Sequence, residues 1–407
     1  MRLITDLHLH SKYARAVSPA MVIPELASWG ERKGIQVLGT GDWTHPLWLK
    51  ELKRDLEPAE PGLFKYKDSL TRFMLTVEIS QIYKRGDKVR KVHNLIFAPS
   101  FKEVDKIRKK LDKIGNLSSD GRPILGLDSE ELLKIVLDVS SDCLLIPAHI
   151  WTPWFSMFGS RSGFDSVEEC FGKLSKYIYA VETGLSSDPD MNWRIKDLDS
   201  RTLVSFGDAH SLPKIGREAT VFDCELSYDS IVKSIKKGKV VETIEFFPEE
   251  GKYHIDGHRN CGFSCEPAET RRLKGKCPKC SRDLVVGVLS RVEDLANRKE
   301  GFKDVNRPPF RRIVPLQEVL SEVCGVGPNT KTVLKAYEEV LGKFGSEFEV
   351  LLNTPVSDLG DELGVAIERM RKGEIHIEPG FDGEFGKVEI FSESEKKKRD
   401  RQKPFFN

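Results

Sequence analysis

Over its first 245 residues or so the chain alternates short apolar runs with helical patterns, the βα signature of a parallel sheet or barrel. The clearest runs cover residues 3–7, 35–39, 143–147, 177–181 and 203–206. Helical periodicity separates them. It holds over 24–33, where a proline opens the first turn and Gly34 closes the last, and over 129–139. Residues 73–83 and 89–98 flank Arg85-Gly86-Asp87-Lys88 and read as a hairpin. In a βα barrel the carboxyl ends of the strands form one face, so residues far apart in sequence converge there.

Metal-binding side chains gather at those ends. His8 and His10 close the first run, two residues apart and therefore on one side of an extended chain, a spacing suited to a divalent ion. Asp42 follows the second run, with His45 close behind. Glu78 and His93 lie in the two arms of the hairpin, His93 inside its strand rather than beyond it; His149, Glu182, and Asp208 with His210 follow the later runs. A lone histidine at a strand end is commonly a hydrogen-bonded structural residue. Here six of nine histidines recur at such places, and the set points to clustered ions. Histidine and carboxylate ligands at open positions suit Zn, Mn, Fe or Mg, and ions about 3.5–4 Å apart are the usual means of phosphate-ester hydrolysis. The expected metal ligands are His8, His10, Asp42, Glu78, His93, His149, Asp208 and His210, with Glu78, Asp208 and His210 also at the reacting atoms.

The text changes after residue 245. Cys261-x3-Cys265 and Cys277-x2-Cys280, eleven residues apart, have the spacing of a closed tetrahedral zinc site. His254 and His258 lie nearby, but four thiolates fill such a shell. Cys143, Cys170, Cys224 and Cys324 scatter through apolar or helical contexts, the usage of an intracellular chain with one metal knot. Arg271, Arg272 and Lys274 would face a nucleic-acid backbone from the knot. Gly325-Val326-Gly327, between helical patterns, is either a tight turn or the hairpin of a helix-hairpin-helix motif, whose N–H groups would meet a phosphate. Residues 379–386 form a glycine-rich loop without the spacing of a nucleotide cradle.

Net charge is near zero, with 64 Lys and Arg against 63 Asp and Glu, so global charge does not argue for an anionic partner. Charged residues reach 31%, above the roughly 25% of average domains, a weak sign of a thermophilic source. No apolar stretch approaches the roughly 18 residues of a membrane span, and the start reads as a strand. No membrane association, no secretory signal and a cytoplasmic location are expected.

The ordered set His8-x-His10, Gly41-Asp42, Glu78, His93, His149 and Asp208-x-His210 resembles the motifs of the polymerase and histidinol phosphatase (PHP) superfamily of metal-dependent phosphoesterases. That resemblance implies an α/β fold, a distorted (β/α) barrel over residues 1–245, usually with three ions. Trp43 stands where the superfamily usually has histidine, with His45 or Asp42 as substitutes, and residues 11–19 offer no His or acid. The barrel, the knot of four cysteines, the helical C-terminus and the segment from Glu182 through Asp188, Asp190 and Trp193 to Arg194 together resemble the endonuclease Q family of DNA repair, found in archaea and sporadically in bacteria.

This second resemblance implies cleavage of DNA 5′ to deaminated bases (uracil, hypoxanthine, xanthine) or abasic sites, with Mg or Mn at the catalytic centre and Zn in the knot. It moves Asp188 toward a catalytic role. The residues alone favour Asp188 as a helix N-cap, with Pro189 at the first position and Trp193 in the core. Arg194 would clamp a phosphate. Trp151 and Trp154 crowd the segment 149–155, where they either pack in the core or stack on an extrahelical base. Lys12, Tyr13 and Arg15 face phosphate or are simply solvated. The expected division is a barrel at 1–245, a four-cysteine zinc domain at 246–295, a helical DNA-binding domain at 296–390 that includes Gly325 and Gly327, and a basic tail at 391–407. A monomer is expected. Lys403-Pro404-Phe405-Phe406 matches a sliding-clamp-binding end only in part. A small-molecule phosphomonoesterase of the histidinol-phosphatase kind is the alternative that the barrel alone supports; it has no use for the knot or the hairpin.

Overall fold

The computed structural model describes residues 1–392 and 394–396. Past Lys396 the expected basic tail, with the clamp-like end, lies outside the described residues. The N-terminal part threads β1 (Arg2–Asp6), α1 (Ile23–Lys33), β2 (Val37–Gly39), α2 (Pro46–Asp55), the short β3 (Glu57–Pro58) and β4 (Phe64–Lys65), and the hairpin β5 (Arg72–Arg85) and β6 (Lys88–Ala98). It continues through α3 (Phe101–Leu111), β7 (Ile124–Leu125), α4 (Ser129–Val139), β8 (Leu144–Pro147), α5 (Val167–Phe171), β9 (Ala180–Glu182), α6 (Pro189–Asn192), β10 (Thr202–Val204), β11 (Ala219–Asp223), α7 (Tyr228–Lys236) and β12 (Glu242–Glu245).

The first helix begins and ends on the expected signals. Gly34 closes α1 in the left-handed conformation at φ 82°, and the Asp128 carboxylate caps α4 by accepting the Glu130 N–H at 2.9 Å. The strands form a mixed sheet: β1, β2 and β5 run parallel, β11 and β12 extend it antiparallel from β1, and β6 continues from β5 to β8. Apolar side chains of β1, β2, β5, β6, β8, β9, β10 and β11 meet in one buried cluster, including Leu3, Val37, Met74, Phe97, Ile146, Val204 and Phe222, so they fill the interior of a ring. The fold is thus mixed α/β as expected, but among the described residues the hydrogen-bonded ring does not close. β9 and β10 pair only with each other, in parallel. The Ile150 N–H bonds the Glu182 carbonyl at 3.2 Å on one flank, and the Ser205 N–H bonds Thr220 Oγ1 at 2.9 Å on the other.

The C-terminal part holds the hairpin β13 (Asp256–His258) and β14 (Phe263–Cys265), α8 (Pro267–Arg272), α9 (Val288–Leu295), β15 (Phe310–Arg312), α10 (Leu316–Cys324), α11 (Lys331–Phe344), α12 (Asp361–Lys372), β16 (His376–Glu378) and β17 (Lys387–Glu389). β15 joins the main sheet beside β12. A buried ion pair ties α1 to the C-terminal helices: Lys33 Nζ lies 2.7 Å from Glu347, which also accepts the Tyr337 hydroxyl at 2.7 Å. Among the described residues no helix is long and apolar enough to cross a membrane.

Candidate metal centre

Strand ends and the long hairpin bring six side chains to one crevice. His8 and His10 follow β1, Glu78 projects from β5, His93 from β6, His149 follows β8 and Asp208 follows β10. They form two groups sharing one residue: His8, His10, Glu78 and Asp208, and Glu78, His93 and His149. Each Glu78 oxygen serves its own group. Oε2 lies 3.1 Å from His10 Nε2 and 3.6 Å from His8 Nε2, while Oε1 lies 2.7 Å from His93 Nδ1 and 3.0 Å from His149 Nε2. Asp208 Oδ1 completes the first group, 3.1 Å from His10 and 3.5 Å from His8.

His8 Nε2, His10 Nε2 and Asp208 Oδ1 are buried with no hydrogen-bond partner, although they crowd one another. Buried polar atoms left without partners are costly, so a group that binds all three at once fits here, and imidazole with carboxylate is the donor set of a divalent ion. Asp42, His149 and Asp208 hold left-handed backbone at φ 49°, 28° and 44°, local strain of the sort that collects at functional sites.

The charges match this reading. Burial alone would depress the imidazoles of His8 and His10, yet the surrounding carboxylates hold both well above the usual histidine range. Burial would raise Glu78 and Asp208; their histidine neighbours, with Arg122 at Glu78, hold both well below the usual carboxylate range. Burial takes His93 down to about 4.

Several expected ligands take other places. Asp42 lies behind the centre: Oδ1 is 2.9 Å from His10 Nδ1, and Oδ2 accepts Ser11 Oγ at 2.7 Å, so it orients a ligand instead of being one. Glu182 does the same for His8 Nδ1 at 2.9 Å, and also accepts the His149 N–H at 2.7 Å. His210 stands outside both groups, its Nδ1 2.8 Å from the Asp208 carbonyl oxygen and its ring 4.8 Å from that of His10. Among the described residues no third group forms around it, in keeping with Trp43 and the acid-free 11–19 segment.

Asp188 is fully buried, caps α6 by accepting the Met191 N–H at 3.0 Å, and pairs with Arg312. This is the N-cap that the residues alone favour, and both carboxylate oxygens are engaged, one by the Met191 N–H and the other by Arg312. Trp151 is also core, its indole N–H donating to Asn192 at 2.8 Å, whereas Trp154 is exposed on a cavity of about 610 Å³ beside the centre. Arg194 is buried and spent on Glu293 at 2.7 Å. Lys12 and Tyr13 both bind Glu51, and Arg15 reaches Asp120. Gly325 ends α10 in left-handed conformation at φ 67°; Gly327 follows in the turn, and Thr330 caps α11. Sequence reasoning missed Arg122, which donates to Glu78 at 2.8 Å and lines the cavity; a loop arginine carries no periodic signal.

The zinc-type cluster differs by one ligand. His258, Cys261, Cys277 and Cys280 converge, while Cys265 lies outside with its sulfur 3.2 Å from Thr270 Oγ1. The register explains the exchange. His258 pairs with Phe263 beside the turn that carries Cys261, but Cys265 pairs with Asp256 at the far end of the ladder, roughly 6–7 Å along the strand.

Known proteins resemble this chain. The family described as the MJ0043 C-terminal domain matches residues 315–374. The uncharacterised protein MJ0043 of Methanocaldococcus jannaschii is 35% identical over 249 residues, 58% of this chain, and the chain spans only 31% of that relative's length. The uncharacterised YqxK of Bacillus subtilis is 29% identical over 95% of this chain and 99% of its own. The crystal structure of the lesion-specific endonuclease PfuEndoQ from Pyrococcus furiosus superposes with a TM-score of 0.86 at 33% identity, covering 97% of this chain and 96% of that one. The chain belongs to the endonuclease Q family. An endonuclease Q complex with a 27-mer duplex bearing an abasic lesion at the active site matches with a TM-score of 0.85 at 32% identity, over 100% of this chain and 99% of the other. Kinship with endonuclease Q makes the chain a metal-dependent endonuclease, a hydrolase.

Proposed function

We propose that this protein is a DNA-repair endonuclease that hydrolyses the phosphodiester 5′ of deaminated bases (uracil, hypoxanthine or xanthine) and abasic sites. The observation that carries the reading is the pair of ion-binding groups sharing Glu78 on the wall of a cavity, in a chain that matches lesion-specific relatives end to end. His8, His10, Glu78 and Asp208 hold one divalent ion, and Glu78, His93 and His149 the other, with Mg or Mn as the catalytic metal. Such ions polarise a phosphoryl oxygen and lower the pKa of bound water. Glu182 and Asp42 fix the tautomer and tilt of His8 and His10. Arg122, held at the rim by Glu78, offers a cation to the scissile phosphate. The His258, Cys261, Cys277 and Cys280 cluster takes Zn in a closed structural site. DNA is the partner, with Gly325 and Gly327 in a turn suited to a backbone phosphate.

The test is incubation with Mg or Mn and duplexes carrying uracil, hypoxanthine or an abasic site. A nick on the 5′ side of the lesion is expected. Hydrolysis of phosphomonoesters alone would select the histidinol-phosphatase-like alternative, against which the zinc cluster and the α10–α11 turn already speak.

A further inference from the structure

The glycine-rich loop 379–386 has no part in the metal centre, yet it ends on the cavity. It is nailed to the segment after β12 by backbone bonds: the Gly380, Gly386 and Gly383 N–H groups donate to the carbonyls of Glu249, Glu250 and Lys252 at 2.8, 3.1 and 2.9 Å. A Cβ at Gly386 would collide with the Glu249 carbonyl, and one at Gly380 with that of Gly251, so glycine is what allows so close a seat. From this rigid mount Phe385 projects 71% exposed, with Lys252 Nζ 4.4 Å from its ring centre.

Of the phenylalanines and tryptophans among the described residues, only Phe385 and Trp154 are exposed, and both stand on the same cavity as His93 and His149. Trp154 is 38% exposed and held edge-on by Tyr253 at 5.3 Å, so it hugs the cavity wall. Phe385 instead offers most of its surface outward, where a duplex lies if one nucleotide has left it for the cavity. An exposed ring on so well held a backbone loses little main-chain freedom on contact, which favours stacking.

We propose that Phe385 is a duplex wedge: it stacks on the base exposed when the lesion nucleotide leaves the helix, filling the vacated place, while Lys252 meets the adjoining phosphate. The inference rests on the endonuclease reading above and assigns a residue for holding the duplex open.

The full-length protein, wild type and the variants Phe385→Ala and Phe385→Trp, would be tested on an abasic duplex with 2-aminopurine beside the lesion. Both the single-turnover nicking rate and the fluorescence change on binding are read. Phe385→Ala should nick roughly ten- to a hundredfold more slowly and lose the fluorescence change, with an unaltered melting temperature; Phe385→Trp should restore both. Nicking by Phe385→Ala at the wild-type rate, or slowed nicking with the fluorescence change intact, would overturn the wedge alone. A wild-type protein that nicks no lesion would instead overturn the endonuclease reading, and the wedge with it.

Discussion

Glu78 and Glu182 are both fully buried carboxylates beside histidines, but their places predict different losses. Glu78→Gln removes the one residue common to both ion groups. Nicking should fall roughly a thousandfold or more, several kcal/mol of transition-state stabilisation, and bound divalent metal should drop for both positions. Glu182→Gln keeps every ligand and disturbs the orientation of His8 and the seat of the His149 backbone, so metal affinity should weaken roughly 10- to 100-fold, with nicking recovered at high Mg or Mn. Metal titrations of activity and of intrinsic fluorescence separate the two. At this scale the sequence is legible for residues that close a strand: His8, His10, His149 and Asp208 announce themselves. It is silent on which imidazole nitrogen looks inward, so it could not rank Asp42 behind His10, whereas the Asp188-Pro189 pair spelled the helix cap that the structure shows and only the family resemblance drew Asp188 toward the crevice.

The hairpin β13–β14 shows how an element chooses among candidate ligands. Cysteine spacing alone points to Cys265, and strand register puts His258 in its place. His258→Asn should therefore release zinc and lower the melting temperature, whereas Cys265→Ser should keep one zinc per chain, as elemental analysis would show. Retention of zinc by the first variant and loss by the second would restore the four-thiolate arrangement. Helices α1 and α4 and the β5–β6 hairpin are readable because propensity, caps and turn chemistry agree over eleven residues or more. The three-residue β9 and β10 are readable as runs but not as a separate ladder, since nothing local tells a strand which neighbour it will miss.

Across the whole molecule, the floor beneath the centre is acidic. Burial pushes Glu218 and Glu245 above the usual carboxylate range, each raised further by acids nearby, while Thr183 and Ser205 bond Glu245 Oε2 at 3.0 and 3.2 Å. A carboxyl whose folded pKa lies above its unfolded one favours folding at low pH. That contribution is complete below the ordinary carboxylate range and is lost as pH rises toward the raised value. Glu245→Gln should thus flatten the decline of melting temperature between about pH 5 and 8 and leave the variant the more stable at the alkaline end, as thermal melts would measure. No local pattern marks such acids, because they become neighbours only when β11 and β12 pair. The unclosed wall carries a consequence of its own. The β9–β10 panel is joined to its flanks by side-chain and isolated backbone bonds and by no ladder, so its amides should take up deuterium sooner than those of β5–β6, and loading the centre with Mg should slow that uptake, since Glu182 rides on the panel and steadies His8. The loosest plank of the wall thereby becomes the one that reports whether the crevice is charged.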